Sequence, residues 1–302
     1  MALPQTIHAP VSGQSAPIGV FDSGLGGLSI LSAIHALLPN ESLHFCADSR
    51  YAPYGEREVD FIVERAFSLS AWLIEQNAKV LVVACNTATT RAIEALRAHI
   101  AVPVVGVEPG IKPAAALSAA RVVGVLATAN TLHSKRFQQL LALHGNDCQF
   151  ILQPGYGLVA AIERGDTDSP ELCALLERYL APMLAAGADT LVLGCTHYSF
   201  IAAAILKAAG TQMQLIDTAT AIARQVERVL DSNGSRAPAD ATPRLCFYST
   251  GDGKLQQRLL HTLLDLHAQV ECVTIQSERS CTDEGSEIPV AFSSHINENN
   301  SY

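Results

Sequence analysis

VLVVACNTATT at 80–90 and TLVLGCTHYSF at 190–200 are two versions of one local pattern, 110 residues apart. In each, a helical-period segment leads into a short, continuous apolar run. A cysteine follows the run directly, and hydroxyl and amide side chains follow the cysteine. A run of four or five apolar residues with no alternation reads as a strand buried on both faces, the signature of a parallel sheet. Helix before strand, with another helix after, implies right-handed βαβ units. The two cysteines, Cys85 and Cys195, then fall at carboxyl ends of strands, where open α/β sheets bind ligands.

The repeat extends outward. Ile-Gly-Val at 18–20 returns as Val-Gly-Val at 123–125, and LHFCAD at 43–48 returns as CQFILQ at 148–153. Any two βαβ units share some of this likeness, but not a cysteine in the same place. Further apolar runs at 102–107, 213–216, 245–248 and 270–275 alternate with helical segments at 60–76, 89–99, 132–144, 170–186, 200–209, 219–231 and 254–266. The expectation is an α/β fold of two similar domains with mainly parallel sheets and flanking helices, related by a pseudo-twofold, with the active site between them. The first domain takes 17–110 and 216–277, and the second takes 111–215. Residues 1–16 read as a flexible arm and 278–302 as a disordered tail.

Composition narrows the function. Of 302 residues, 49% are hydrophobic and only 6% aromatic, which suits an Ala/Val/Leu-rich α/β core. The net charge of −9 and the lack of a basic run argue against a nucleic-acid partner. No apolar stretch is long enough to span a membrane, and the start has no secretory pattern. The eight cysteines are scattered with no CxxC, so a reduced, cytoplasmic setting is expected.

A lone buried cysteine is usually an inert core residue. Cys85, however, precedes Asn86, Thr87, Thr89 and Thr90 at a helix start, where side-chain caps and backbone N–H groups can hold a carboxylate and favour a thiolate. Cys195 is followed by Thr196, His197 and Tyr198, and His197 can serve the thiol in proton transfer or be only a hydrogen-bonded structural residue. A zinc site built on Cys85, Cys195 and His197 lacks the local CxxC or HxxxH pair that such sites use, so no metal is expected. FDSGLGGLS at 21–29 resembles a dinucleotide loop, with Asp48 ending the next strand as a ribose acid would. Its third glycine is misplaced, and Asp22 at the loop mouth would repel a pyrophosphate. Asp22 better suits an ammonium group or a partner for Cys85. Pro53, Tyr54 and Gly55, in DSRYAPYGER, form a turn at the same sheet edge and make a substrate wall.

Two thiols in equivalent positions suit racemisation, in which one base removes the Cα proton from one face and the other returns a proton to the opposite face. A thiol has a pKa of about 8.5, within reach of neutral pH. The carbanion that develops beside the carboxylate needs preorganised donors. A one-thiol cysteine hydrolase and a non-catalytic amino-acid or nucleotide binder are the competing readings, and neither accounts for the repeated cysteine.

DSGLGGL, PYGER, ACNTATT and GCTHYSF, in that order, resemble the glutamate racemases of the aspartate/glutamate racemase superfamily, with the likeness running over 18–275. That resemblance implies a cofactor-independent enzyme that makes D-glutamate from L-glutamate for peptidoglycan and cell-wall synthesis. It implies Cys85 as the base acting on D-glutamate and Cys195 as the base acting on L-glutamate. Asp22 would assist Cys85, and His197 with Glu163 would assist Cys195. Substrate contacts would fall to Asp22, Ser23, Pro53, Tyr54, Gly55, Asn86, Thr87, Thr131, Thr196 and His197, with Thr128 the alternative to Thr131. Asp48 would be a further polar position. The resemblance also implies a monomer or homodimer and a UDP-muramyl-peptide activator in relatives with an N-terminal arm. One departure is Gln153-Pro154, where relatives often carry Cys-Pro; it concerns domain packing rather than chemistry.

Overall fold

A computed structural model describes Ile7 and residues 13–144, 147–210 and 213–276. Most of the expected arm and all of the expected tail lie outside these residues. Within the arm, Ile7 pairs in a parallel bridge with Ile100, and Lys79 Nζ donates to Gln14 O.

Among the described residues, ten strands form two sheets, and every pairing within them is parallel. They are β1 (Ile18–Asp22), β2 (Leu43–Ala47), β3 (Val80–Val83), β4 (Val104–Gly106), β5 (Val122–Ala127), β6 (Gln149–Pro154), β7 (Thr190–Gly194), β8 (Gln214–Ile216), β9 (Leu245–Ser249) and β10 (Val270–Cys272). The first sheet runs β10-β9-β2-β1-β3-β4 and the second β6-β5-β7-β8. The order β2-β1-β3-β4 is thus repeated as β6-β5-β7-β8. The register repeats as well: Ile18 faces Val80 in the first sheet, and Val123 faces Thr190 in the second. Cys85 and Cys195 each follow that paired residue by five positions, so the sequence repeat is a spatial one.

The central strands of each sheet, β1 and β3 in the first and β5 and β7 in the second, are buried on both faces, which explains their unbroken apolar runs. Along β3, Val80 and Val82 join one core with Ile18, Val20 and Phe45, while Leu81 and Val83 join another with Phe21 and Leu69. Along β7, Leu191 and Leu193 face one side, and Val192 faces the other with Val123 and Val125. This is the period-two alternation of a strand, expressed between two apolar layers. Truncating a fully buried aromatic such as Phe45 or Phe137 to alanine costs about 3–5 kcal/mol.

Helices 28–37, 59–75, 86–99, 219–232 and 253–264 cover the first sheet, and 170–185 and 202–209 pack together on the second. The expected helix 132–144 is two pieces, 129–132 and 135–144. Thr128 caps the first, and Ser134 Oγ accepts from Phe137 N at 3.1 Å to start the second. Two competing caps within one apolar-periodic segment break it. Ser169 caps 170–185 with Pro170 in its first turn.

Candidate active site

The site lies between the carboxyl ends of the two sheets. β1 delivers Asp22 and the glycine loop that follows. β3 delivers Cys85, which caps helix 86–99: its Sγ accepts from Ala88 N at 3.5 Å. Ser23 Oγ lies 3.6 Å from the same sulfur and 3.4 Å from Asp22 Oδ1. Asp22 Oδ2 accepts from Gly27 N at 2.8 Å, so the turn holds the carboxylate in place. Burial pushes the Asp22 carboxyl above the ordinary range, against the pull of His197, Gly27 and Ser23. Burial also pushes the Cys85 thiol well up, reinforced by Asp22 and by Cys195 and opposed by the contacts with Ala88 N–H and Ser23. The helix start therefore moderates a shift that desolvation dominates.

From the second sheet, β7 delivers Cys195. Its Sγ lies 3.8 Å from His197 Nδ1, and His197 Nε2 lies 2.6 Å from Glu163 Oε1. Glu163 ends the short helix 158–163. Gly26 N also comes within 3.2 Å of His197 Nε2. One nitrogen cannot both accept from Gly26 and donate to Glu163; the shorter, charge-assisted contact makes it the donor. Burial alone would favour a neutral ring, but Cys195 and Glu163 together outweigh it and hold the imidazole well above its usual pKa. His197 Nδ1 lies 4.0 Å from Asp22 Oδ2, so the two halves meet here.

Each thiol thus has its own chain of polar contacts, Ser23 and Asp22 for Cys85, and His197 and Glu163 for Cys195. Both cysteines are nearly closed off, at 5% and 7% exposure. Cys195 is close enough for its charge to oppose ionisation of Cys85. Buried Cys46 has no such chain: burial and Asp48 push its thiol far up.

Hydroxyls gather on the other wall. Thr87 Oγ1 lies 2.8 Å from Thr128 Oγ1 and 3.5 Å from Thr131 Oγ1, and Thr128 and Thr131 are 2.9 Å apart. Asn86 Nδ2 donates to Val107 O at 3.3 Å. Thr196 is buried beside Gly26, where an added Cβ would come within 2.6 Å of its hydroxyl. Tyr54 and Gly55 stand at the edge of this wall; Gly55 faces Thr128, and a Cβ there would lie 2.9 Å from Thr128 Cβ. Pro53 lines a cavity of about 280 Å³ with Leu25, Ala160, Glu163, Arg164 and Gln256. Neither cysteine is on the cavity wall. The cavity lies between residues of the first sheet's loops and those of helix 158–163.

Asp48 stands apart from the sulfurs. Arg65 grips it at 2.9 Å from both Nε and Nη2, Thr250 Oγ1 donates to it at 2.8 Å, and Tyr54 OH bonds to it as well. A carboxylate so occupied is not free to take a ribose, and it anchors Tyr54 instead. Arg65 escaped the sequence reading. Its signal is a charge on the inner face of helix 59–75, three residues after buried Ile62 and four before buried Leu69. The backbone donor Leu25 N, 2.6 Å from Glu163 Oε1, left no side-chain signal at all. Among the described residues, a His261, Asp265 and His267 group could hold a metal ion; it is exposed and on elements that carry none of the site residues.

The Asp/Glu/hydantoin racemase family profile matches residues 18–226. The chain belongs to the glutamate racemases of that family. A glutamate racemase from Ralstonia pickettii (strain 12J) is 56% identical over 250 residues, covering 82% of this chain and 88% of the relative. One from Pseudomonas aeruginosa is 48% identical over 252 residues, with 83% and 94% covered. Among solved structures, a glutamate racemase isoform from Bacillus anthracis superposes with a TM-score of 0.80 at 29% identity, over 87% of this chain and 98% of that one. The Escherichia coli glutamate racemase, solved with L-glutamate and the activator UDP-MurNAc-ala, matches with a TM-score of 0.76 at 33% identity, over 87% and 100%. The family is one of racemases, so the chain is an amino-acid racemase, with the two-domain α/β fold of that family. Among the described residues, no helix is long and apolar enough to cross a membrane.

Proposed function

We propose that this family member interconverts L- and D-glutamate with Cys85 and Cys195 as the two acid–base groups, and without an added cofactor. The observation that carries the reading is the doubled thiol. Each cysteine ends an equivalent strand of its own sheet and has its own polar relay, and the two interact electrostatically. In the direction from L-glutamate, Cys195 as thiolate takes the α-proton. Negative charge develops on the Cα and its carboxylate, and Cys85 as thiol delivers a proton to the opposite face. The reverse reaction exchanges the roles. Asp22 and Ser23 orient Cys85, and the His197–Glu163 pair orients Cys195. Burial and the neighbouring Asp22 favour the thiol form of Cys85, and His197, whose pKa is raised, keeps a proton donor beside Cys195. The substrate ammonium, placed near Asp22, would then lower the barrier for either thiol.

Asn86, Thr87, Thr131 with Thr128, and Thr196 are proposed to hold the two substrate carboxylates, with Pro53, Tyr54 and Gly55 as the wall, and Asp48 in a supporting role behind Tyr54. The Escherichia coli relative's complex supports glutamate as substrate and a UDP-muramyl-peptide as a candidate activator. Family membership supports a proposed cytoplasmic role in supplying D-glutamate to peptidoglycan, and the two sheets support the proposed domain division 17–110 with 216–277, and 111–215, apart from Ile216, which ends the last strand of the second sheet. The test is exchange: purified protein with no added pyridoxal phosphate or metal should incorporate deuterium from solvent at Cα of glutamate while interconverting its enantiomers. Absence of exchange from both enantiomers rejects the reading.

A further inference from the structure

Asn130 has no part in the relays, yet its side chain meets more partners than that of any residue on the wall. It sits on the second domain, in the short helix that Thr128 caps. Its Nδ2 lies 3.3 Å from Tyr54 O, 3.1 Å from Gly55 O and 2.9 Å from Arg57 O, all in the loop of the first domain. Its Oδ1 accepts from Arg91 Nη2 at 3.0 Å, and the same Nη2 reaches Asn130 O at 2.8 Å. Arg91 belongs to helix 86–99, the helix that Cys85 caps.

These partners fix the orientation of the amide. Its nitrogen faces three carbonyls and its oxygen faces a guanidinium; the flipped amide would set oxygen against oxygen and N–H against N–H. The loop carbonyls belong to no strand ladder, and Tyr54 O also accepts from Arg57 N at 3.1 Å. The segments are also in direct contact where Gly55 faces Thr128. One amide therefore ties together the substrate wall, the helix of one thiol and the segment that presents Thr128 and Thr131.

We infer that Asn130 is a positioning residue, a latch that fastens the Tyr54–Arg57 wall to the second domain and so stabilises the closed, substrate-binding arrangement. The inference rests on the glutamate racemase reading above. Apparent affinity is weakened by the fraction of protein in the competent form, so losing the latch acts on binding. The wall serves both enantiomers and the thiols are untouched, so KM rises in both directions while kcat is nearly kept. Racemisation has an equilibrium constant of unity, which requires kcat/KM to fall equally for both.

The test compares Asn130→Ala and Asn130→Asp with the parent. Asn130→Ala should raise KM for L- and D-glutamate about tenfold, with kcat within about threefold. Asn130→Asp keeps the shape and the Arg91 contact but sets a carboxylate against three carbonyls; it should be impaired at least as much. Amide hydrogen exchange without substrate should be faster across 54–58 in both variants. A folded Asn130→Ala protein with unchanged KM in both directions overturns the inference, as does Asn130→Asp behaving like the parent. If the parent fails to racemise glutamate, the functional reading falls, and the exchange measurement still decides whether the latch exists.

Discussion

Glu163 Oε1 lies 2.6 Å from His197 Nε2, and this contact, made by a residue 34 positions away in sequence, joins Cys195 in holding the imidazole pKa up. Burial acts against both. Glu163→Gln should therefore lower the His197 pKa, read as an earlier loss of the imidazolium signal in a nitrogen NMR titration. An unchanged titration would remove Glu163 from the relay.

The same shift links His197 to stability. Its pKa is raised in the folded chain, so the stabilisation it brings is complete below the unfolded value of about 6.5 and is lost as pH rises through the folded value. The gap in urea midpoint between the parent and His197→Asn should be widest in acid and should narrow with increasing pH. A gap that widens with pH would contradict a protonated, paired imidazole.

The two thiols should separate by direction. Cys85→Ser and Cys195→Ser should each lower racemisation by at least about 10²-fold, the usual contribution of a positioned acid or base. Cys85→Ser should still exchange the α-proton of L-glutamate faster than that of D-glutamate, and Cys195→Ser should do the reverse. Equal exchange of both enantiomers by one variant would mean that the faces are wrongly assigned.

The Asp48–Arg65 pair should behave as scaffold. Both side chains are almost wholly buried, at 0% and 3% exposure. Arg65→Met strands a charge among apolar neighbours, and breaking such a pair costs about 3–5 kcal/mol. Adding Asp48→Asn should recover part of that loss in denaturant unfolding. A full loss with no recovery would mean that Arg65 matters through its contact with Ile275 O rather than through Asp48.

Most of the architecture was legible because its signals are local. The runs Val122–Ala127 and Thr190–Gly194 are strands with the bounds read from the sequence, since strands buried on both faces are apolar from end to end. The run at 102–107 shrinks to Val104–Gly106, because Pro103 has no N–H to give the ladder. Helices 111–117 and 158–163 went unread; each is at most seven residues long, too short to show a helical period. The cysteines were legible through the repeat. Arg65, Thr250 and Asn130 were not, because their roles depend on partners 17, 202 and about 75 positions away, which only the folded chain supplies.

The glycine loop gives the sharpest steric prediction. Gly24 and Gly26 do not have positive φ, so their conformations tolerate a side chain and only space forbids one. A Cβ on Gly24 would strike the Glu163 carboxylate, and one on Gly26 would strike the His197 ring. Neither obstacle is backbone, so each variant can fold by moving the second-domain side chain away. Displacement by about 1 Å can cost about 10²-fold in rate. Gly24→Ala and Gly26→Ala should therefore lower kcat by about that factor, with melting temperatures close to the parent. Because Cys85 keeps Ser23 and Asp22, exchange of the D-glutamate α-proton should suffer less than exchange of the L-glutamate proton. If both exchanges fell alike, the loop would be holding the whole cleft rather than the Cys195 relay.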